Sequence, residues 1–298
     1  MRKHKLENIF GQENIKQVVS ISLKASIEKD EPFPHTVLYG PAGLGKTTIA
    51  NAIANEMGTQ MKVVLGGNIS GIKDLLPTIT TMSSGSILFI DEIHNLKKRD
   101  CEFLYSIMED NMAHVPLDKG NKQKEIVSVG VSPFTLIGAT TEIGSLPTPL
   151  IDRFVLRLEL SRYSEEEMCV LVEDYSKELG VSLCDDSIIY VSMISRGVPR
   201  LAKAHVNWLN DFRIAQKMNK LFKANVESAM SLKGIDINGF TDQDRRYISL
   251  LKRINKPVGV STICASLNLD KDTVENVIEP WLLNQGMIIK TAKGRQIV

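Results

Sequence analysis

The stretch Gly40-Pro-Ala-Gly-Leu-Gly-Lys-Thr47 has the spacing of a phosphate-binding loop, in which two glycines separated by four residues precede a lysine and a threonine. Glycines let backbone N–H groups close around phosphate oxygens without Cβ clashes. In such a loop Lys46 reaches the β- and γ-phosphates and Thr47 binds Mg²⁺. The apolar run His35–Tyr39 predicts a buried strand before the loop, and residues 47–57 predict a helix after it. The sequence therefore predicts a nucleotide-binding α/β domain.

An acidic pair follows a second apolar run. Residues 87–90 read Ile-Leu-Phe-Ile, and Asp91 and Glu92 come directly after them. We expect Asp91 to hold the Mg²⁺ hydration shell and Glu92 to polarise an attacking water, as in ATP-hydrolysing enzymes. An exposed pair of acids at a helix start is the alternative interpretation. The predicted phosphate contacts are Gly40, Ala42, Gly43, Leu44, Gly45, Lys46, Thr47 and Thr48, with Thr47 and Asp91 at the metal.

Short β-rich runs alternate with helical periods from about residue 35 to 160, which predicts a parallel sheet with helical crossovers. One insertion departs from this rhythm: residues 114–131 predict a β-hairpin around a Lys-Gly-Asn turn. The predicted strands are His35–Tyr39, Met61–Leu65, Ile87–Ile90, Phe134–Gly138 and Val155–Leu160.

Three further residues are candidates for the catalytic site. Thr141, with Thr140 beside it, ends a buried strand and is placed to bond the γ-phosphate or the attacking water, although strand-end threonines also act as caps. Arg153 precedes the last strand and suits an arginine finger offered to a neighbouring subunit. Its alternative is a salt bridge to Asp152 or another acid. Arg200, at the start of a helix, suits a contact to the phosphates of its own subunit, and Arg196 is a weaker candidate.

The C-terminal half predicts two further units. Residues 164–232 look wholly helical, with Ser164 as a cap and a break at Arg196–Arg200. Residues 237–298 predict three helices and two short strands, the pattern of a winged helix-turn-helix. Lys290, Lys293 and Arg295 cluster near the wing with no acid among them, which predicts DNA phosphate contacts; a solvated basic tail is the alternative.

Composition adds broad limits. Of the 298 residues 43% are hydrophobic and 24% charged, with a net charge of +1, so contact with nucleic acid requires a local basic patch. No apolar run is long enough to cross a bilayer and the N-terminus lacks an apolar signal segment, which predicts a cytoplasmic protein. The four cysteines lie far apart without ligand spacing, which disfavours a zinc site.

Together these segments resemble the RuvB family, the AAA+ ATPases that drive Holliday-junction branch migration. The similarity extends from about Leu6 to Arg295, and its C-terminal segments are more specific than a general AAA+ match. Its marks are Leu6–Gln12, Gly40–Thr48, Phe89–His94, Met108–Asp110, Phe134–Thr141, Pro149–Phe154, Arg196–Arg200, Pro257–Gly259, Glu279–Gly286 and Lys293–Arg295.

The resemblance implies a role for each site. Ile9 and Phe10 would border the adenine, Thr141 would be the first sensor, and Arg200 the second sensor. Arg153 would act in trans within a hexameric ring. Hairpin 114–131 would dock a RuvA-like junction-binding protein, and the winged helix would hold duplex or branched DNA. The implied cofactors are ATP and Mg²⁺, and the implied domains are residues 1–162 (ATPase), 163–236 (helical lid) and 237–298 (winged helix).

Three positions depart from the family pattern. Glu142 stands where members usually carry arginine after the Ala-Thr-Thr strand end, Ile151 replaces an arginine two places before the finger, and Val155 replaces a glycine. These changes leave the ATP core intact and concern the subunit interface. The main prediction is an ATP-driven DNA motor for recombination and repair. A loader-type AAA+ switch and a DNA-binding regulator with weak ATPase activity are the alternatives.

Overall fold

The computed structural model describes residues 5–118 and 124–298. The chain divides into two compact units, Met1–Tyr163 and Ser164–Val298. Both are built from the element types that the sequence predicts, a parallel α/β sheet in the first and helices followed by a winged helix in the second.

The first unit has five α-helices and seven strands among the described residues. The helices are α1 (Glu13–Lys29), α2 (Lys46–Glu56), α3 (Ile72–Thr80), α4 (Lys98–Asp110) and α5 (Thr148–Arg153). The strands are β1 (Thr36–Tyr39), β2 (Met61–Leu65), β3 (Ile87–Asp91), β4 (Met112–Asp118), β5 (Lys124–Gly130), β6 (Thr135–Thr140) and β7 (Leu156–Glu159).

Five of these strands form one parallel sheet in the order β2-β3-β6-β1-β7. All five were predicted from the sequence, and their ends agree within two residues. β6 is buried along its whole length and β3 over its first four residues, because helices cover both faces of a parallel sheet. Each fully buried leucine, isoleucine or phenylalanine of these strands contributes about 1.5–3 kcal/mol of hydrophobic free energy.

The predicted hairpin is formed by β4 and β5, which pair antiparallel from Met112–Gly130 to Asp118–Lys124. Its predicted Lys-Gly-Asn turn lies outside the described residues. The outward side chain of Ile126 is 68% exposed, so the hairpin presents apolar surface.

The second unit begins with a helical part. Its helices are α6 (Glu165–Leu179), α7 (Asp185–Ile194), α8 (Pro199–Ala215) and α9 (Lys223–Ser231). Ser164 caps α6 in a reciprocal capping box with Glu167, as its sequence predicts. The expectation of a wholly helical segment is wrong in one detail, since β8 (Ser182–Leu183) and β9 (Lys220–Leu221) form a two-residue parallel pair. Pairs this short give almost no sequence signal.

The remainder of the second unit is the predicted winged helix. It contains α10 (Asp242–Ile254), α11 (Val260–Leu267), a π-helical segment (Thr273–Ile278) that continues into α12 (Glu279–Asn284), and the strands β10 (Ile288–Thr291) and β11 (Gly294–Ile297). The wider π turns precede Pro280, which has no N–H and would clash with the carbonyl of Asn276 in a regular α-helix. Val258 pairs antiparallel with Arg295, which extends the wing by one bridge.

Candidate active site

The phosphate loop, the acidic pair and the strand-end threonines of the first unit follow the carboxyl ends of neighbouring strands. The phosphate loop follows β1, Asp91 ends β3, and Thr140 ends β6. Because β6 lies between β3 and β1, the three strand ends meet at one edge of the sheet. Gly40 N donates to Thr140 O at 3.2 Å, which joins the start of the loop to the end of β6.

The backbone of the phosphate loop requires glycine. Gly40 has φ 132°, and a Cβ there would lie 2.3 Å from Leu160 O. Gly45 has φ 101° and immediately precedes α2, so the first N–H groups of the helix face the loop. The loop therefore forms a cradle of backbone N–H groups at a helix N-terminus, which suits an anion.

Lys46 is almost completely buried in this loop, at 7% exposure. Its Nζ donates to Gly40 O at 2.7 Å and to Pro41 O at 3.1 Å. A buried ammonium needs such acceptors, because burial without partners is costly. The lysine thus holds its charge within the loop, at the position where phosphates of a nucleotide would lie.

The turn after β3 orients the acidic pair. Asp91 Oδ1 accepts from Glu92 N at 3.1 Å, and Glu92 adopts the left-handed conformation with φ 50°. Gly66, at the end of β2, packs against this turn so closely that a Cβ would lie 2.4 Å from Glu92 O. Gly66 was not singled out from the sequence, since only the three-dimensional packing shows why it must lack a side chain.

Thr140 rather than Thr141 contacts the acidic turn. Thr140 is fully buried, and its Oγ1 lies 2.9 Å from His94 Nδ1 and accepts from Glu142 N at 2.9 Å. Thr141 is the next residue and is exposed at the end of the strand. Its sensor role stays a prediction. His94, which follows the acidic pair, lies within this cluster.

The predicted finger Arg153 forms an ion pair within its own chain. Its Nη2 lies 2.5 Å from Glu109 Oε2 at the end of α4, and both side chains retain surface exposure. Asp152, the other acid considered, pairs instead with Arg157 at 3.1 Å. The Arg153 Nε is buried and has no hydrogen-bond partner among the described residues. The contact to Glu109 fits the salt-bridge interpretation, and it leaves the finger role as a prediction.

Two hydrogen bonds hold the segment with Ile9 and Phe10 near the phosphate loop. Leu6 N donates to Glu56 Oε1 at 2.7 Å at the end of α2, and Gln12 Nε2 donates to Ser161 O at 2.7 Å. Ser161 follows Leu160, the residue packed against Gly40. Phe10 is 38% exposed, so this segment presents part of an apolar ring at the surface.

Arg200 and Arg196 have different environments in the second unit. Arg200 is exposed in the first turn of α8, after Pro199. Arg196 bonds Asp244 Oδ2 at 2.5 Å and Gly239 O at 2.8 Å, and its guanidinium lies 4.0 Å from the centre of the Trp281 ring. Its contacts therefore join the helical part to the winged helix. The weaker nucleotide role suggested for Arg196 receives no support from these contacts.

Two of the three wing cations pair with acids that lie earlier in the chain. Arg295 bonds Glu279 at 2.8 Å and Glu275 at 2.5 Å, and Lys290 Nζ lies 2.8 Å from Glu279 Oε2. Glu279 is fully buried and also accepts from Tyr247 Oη at 3.0 Å. Burial, together with the adjacent Glu279 charge, raises the pKa of the Tyr247 hydroxyl.

The three cations thus differ in exposure and in pairing, although Lys290 and Arg295 are opposite each other in the wing. Lys293 is exposed in the turn between β10 and β11, whereas the Arg295 side chain is only 14% exposed. The DNA-binding roles of Lys290, Lys293 and Arg295 stay predictions. Sequence reasoning noted no acid within the cluster and missed Glu275 and Glu279, which helix packing brings to it.

The three residues that depart from the family pattern are a hydrogen-bonded glutamate, an isoleucine packed on the core and an exposed valine. Glu142 Oε2 accepts from Ser145 Oγ at 3.0 Å, Ile151 packs against the core of the first unit, and Val155 is 72% exposed. None of these contacts obstructs the phosphate loop or the Asp91–Glu92 turn.

Comparison with known proteins identifies the family. A family model described as Holliday junction DNA helicase RuvB P-loop domain matches residues 1–160, and one described as RuvB C-terminal winged helix domain matches residues 237–298. The chain belongs to the RuvB family. This membership confirms the resemblance, the fold class and the use of a nucleotide expected of a P-loop ATPase.

Individual RuvB relatives are similar over nearly the whole chain. The Holliday junction branch migration complex subunit RuvB of Kosmotoga olearia is 38% identical over 297 residues, covering 99% of this chain and 86% of the relative. The Orientia tsutsugamushi subunit is 38% identical over 299 residues, covering 100% and 92%. The solved Thermotoga maritima RuvB Holliday junction branch migration motor has a TM-score of 0.87 and 33% identity, covering 100% of this chain and 95% of that chain.

Among the helices that the structure describes, none has both the length and the apolar character that crossing a bilayer requires.

Proposed function

We propose that this chain is an ATP-driven motor that moves the branch point of Holliday junctions, in recombination and repair. The observation that supports this most is that one RuvB-family chain combines a winged helix with a phosphate loop and an Asp91–Glu92 turn at the same edge of its sheet. The first supplies the free energy and the second is a DNA-binding type of domain. The relatives' names describe the same activity.

In this proposal the phosphate loop binds the ATP phosphates. The backbone N–H groups between Gly40 and Thr48 surround them, and Lys46 exchanges its carbonyl acceptors for phosphate oxygens, which are charged and form stronger hydrogen bonds. The segment with Ile9 and Phe10 borders the adenine. Arg200 is proposed as a further residue for the phosphates.

The donor set fits Mg²⁺. The described residues contain no group of three or more His, Cys, Asp or Glu side chains that would form a protein-only metal site. Magnesium at phosphate sites needs only one or two protein oxygens, because phosphates and waters complete its coordination. Thr47 and Asp91 would supply those oxygens, and the bound ion would neutralise charge on the phosphates.

Hydrolysis in this proposal depends on Glu92. Its carboxylate accepts a proton from the attacking water, and Thr141 orients that water or the γ-phosphate. Arg153 of one subunit serves the site of the next, after leaving Glu109. A finger that acts in trans requires head-to-tail contacts, which close into a ring; we propose a hexamer.

The proposed DNA contact is the wing, with Lys293 exposed at its turn. Lys290 and Arg295 hold the wing against Glu279 and lie beside the same surface. Hairpin 114–131 is the proposed docking site for a RuvA-like junction-binding partner, which fits the apolar exposure of Ile126. The division into ATPase, lid and winged-helix domains at about residues 162 and 236 belongs to the same proposal.

The test is the ATP hydrolysis rate without DNA, with linear duplex, and with a synthetic four-way junction, beside mass measurement with ATP. We expect DNA-stimulated turnover from a ring-sized species, and loss of turnover in Glu92→Gln. DNA-indifferent turnover by a monomer, even with a RuvA-type partner added, would contradict the motor and favour a loader-type switch. DNA binding with no turnover would favour a regulator.

A further inference from the structure

One ring nitrogen of His94 lies close to two side-chain oxygens, one at the end of β6 and one in the turn after β3. His94 Nδ1 lies 2.9 Å from Thr140 Oγ1 and 3.3 Å from Glu92 Oε2. The His94 side chain is 15% exposed, so it is held mainly by protein contacts. A single nitrogen carries at most one hydrogen, and it cannot serve both oxygens equally.

The hydrogen bonds of Thr140 limit the possibilities. Its hydroxyl has one hydrogen and two lone pairs, and Glu142 N–H already uses one lone pair. Either the hydroxyl donates to an unprotonated His94 Nδ1, or a protonated Nδ1 donates to the remaining lone pair. Only in the second arrangement is there a hydrogen that Glu92 can share.

Glu92 has a corresponding need for a donor. Its Oε2 atom is buried and has no hydrogen-bond partner among the described residues, although His94 Nδ1 is within ion-pair distance. An unpartnered buried carboxylate oxygen is costly, so its orientation responds to whichever donor becomes available. Glu92 Oε2 is therefore an acceptor without a donor in the described part of the chain, and His94 Nδ1, which is within ion-pair distance of it, lies closer to Thr140 Oγ1.

The backbone around this pair is fixed, which confines the change to side chains and hydrogens. Gly66 packs against the Glu92 carbonyl, and Ile93 packs against Gly138 in the middle of β6. Thr140 O in turn accepts from Gly40 N, the first residue of the phosphate loop. A chain of direct contacts thus runs from the phosphate loop through Thr140 and His94 to Glu92.

We infer that His94 is a positioning residue: its Nδ1, shared between the Thr140 hydroxyl and the Glu92 carboxylate, links the phosphate-loop end of β6 to the orientation of the catalytic carboxylate. This inference rests on the proposed role of Glu92. In this inference, a rearrangement of the Thr140 hydroxyl when phosphates bind frees Nδ1 for Glu92, and the carboxylate is then held in place for the attacking water. A misplaced catalytic group commonly costs roughly 10²-fold in rate.

The test is a double-mutant cycle on the intact chain with His94→Phe, which keeps a ring but removes both nitrogens, and Thr140→Val, which keeps the shape but removes the hydroxyl. Single-turnover hydrolysis and ATP affinity are measured for each. We expect His94→Phe to lower the hydrolysis rate by roughly 10²-fold with ATP affinity almost unchanged, and Thr140→Val to add little in the His94→Phe background. His94→Asn, which can place a polar atom near the position of Nδ1, is expected to restore part of the rate.

Two outcomes would overturn the inference: an unchanged hydrolysis rate in His94→Phe, or rate losses of His94→Phe and Thr140→Val that simply multiply. Where His94→Phe lowers the melting temperature, His94→Asn decides, because a correctly folded His94→Asn that hydrolyses ATP no faster than His94→Phe contradicts the link. Glu92→Gln separates this inference from the proposed function. If Glu92→Gln keeps full turnover, the assignment of Glu92 fails; if it loses turnover while His94→Phe does not, only the role of His94 fails.

Discussion

The nucleotide edge of the first unit and the wing of the second unit use charged residues in opposite ways. At the nucleotide edge, Lys46 is held by two backbone carbonyls and Glu92 has a buried oxygen without a donor. At the wing, Arg295 and Lys290 are satisfied by the buried carboxylate of Glu279. The lysine contacts named for the first region are to neutral carbonyls, whereas two cations of the second region pair with a buried carboxylate.

The contrast shows that the partners of a charged residue indicate how easily it can turn to a ligand. Neutral carbonyls are weak competitors for a lysine, and phosphates displace them readily. A buried carboxylate bound by arginine is a strong competitor, because separating the pair leaves an uncompensated charge inside the protein.

Lys46→Ala is expected to abolish turnover and to weaken ATP binding by at least about 10²-fold, because it removes the cation that faces the phosphates. Calorimetric titration with ATP measures the affinity. Lys62→Ala is the matched control, since Lys62 Nζ also bonds protein oxygens, at 3.1 Å to Thr78 O and 2.7 Å to Thr81 Oγ1, but lies outside the phosphate loop. Equal ATP affinities of Lys46→Ala and wild type would contradict the assignment of Lys46 to the ATP phosphates.

Arg153→Ala is expected to leave ATP binding nearly intact and to cut turnover by roughly 10³-fold, as for other arginine fingers. Glu109→Gln, which removes the acidic partner within the chain, is expected to keep turnover. Mixing Arg153→Ala with Lys46→Ala subunits, each inactive alone, is expected to restore activity if the finger acts in trans. Loss of stability in Arg153→Ala without a specific loss of turnover would instead assign Arg153 to the salt bridge with Glu109.

Arg295→Ala is expected to destabilise the chain by roughly 3 kcal/mol, because Glu279 is fully buried and loses its main partner. Thermal unfolding measures the change. Lys293→Ala, in the same wing but exposed, is expected to leave stability within about 0.5 kcal/mol of wild type. A stable Arg295→Ala chain with weakened DNA binding would show that the arginine contacts phosphate directly.

Lys293→Ala is expected to weaken DNA binding at all sequences by a modest factor and to lower the salt-dependence slope by about one. Binding to duplex DNA at several salt concentrations measures the slope. Lys271→Ala, another exposed lysine of the winged helix, is a suitable comparison because its Nζ lies 3.5 Å from Glu275. An unchanged slope in Lys293→Ala would mean that the wing cation is only solvated.

The sequence allowed prediction of the sheet, the hairpin and the winged helix, because each has a strong local signal. Buried β-rich runs such as Ile87–Ile90 alternate with helices, and the phosphate loop has a fixed spacing. The π-helical turns at Thr273–Ile278 and the two-residue pair of β8 and β9 were not predicted, since a single proline or a two-residue bridge leaves no periodic pattern.

The candidate site could be predicted where its residues lie within one motif. Lys46, Asp91 and Glu92 are placed by strand ends that the sequence already marks. The roles of Gly66 and His94, and the pairing of Arg295 with Glu279, depend on contacts between segments distant in the chain or on hydrogen-bond geometry. Such contacts form only when distant segments pack together, and a single sequence carries no local pattern that identifies the contacting residues.

The most direct test of the proposed motor function is strand exchange of a synthetic four-way junction, with ATP and a RuvA-type partner, by wild-type and Glu92→Gln chains. We expect the wild type to convert the junction into two duplexes in proportion to the ATP hydrolysed, and Glu92→Gln to bind the junction without converting it. Hydrolysis of ATP by the wild type with no movement of the branch point would contradict the motor.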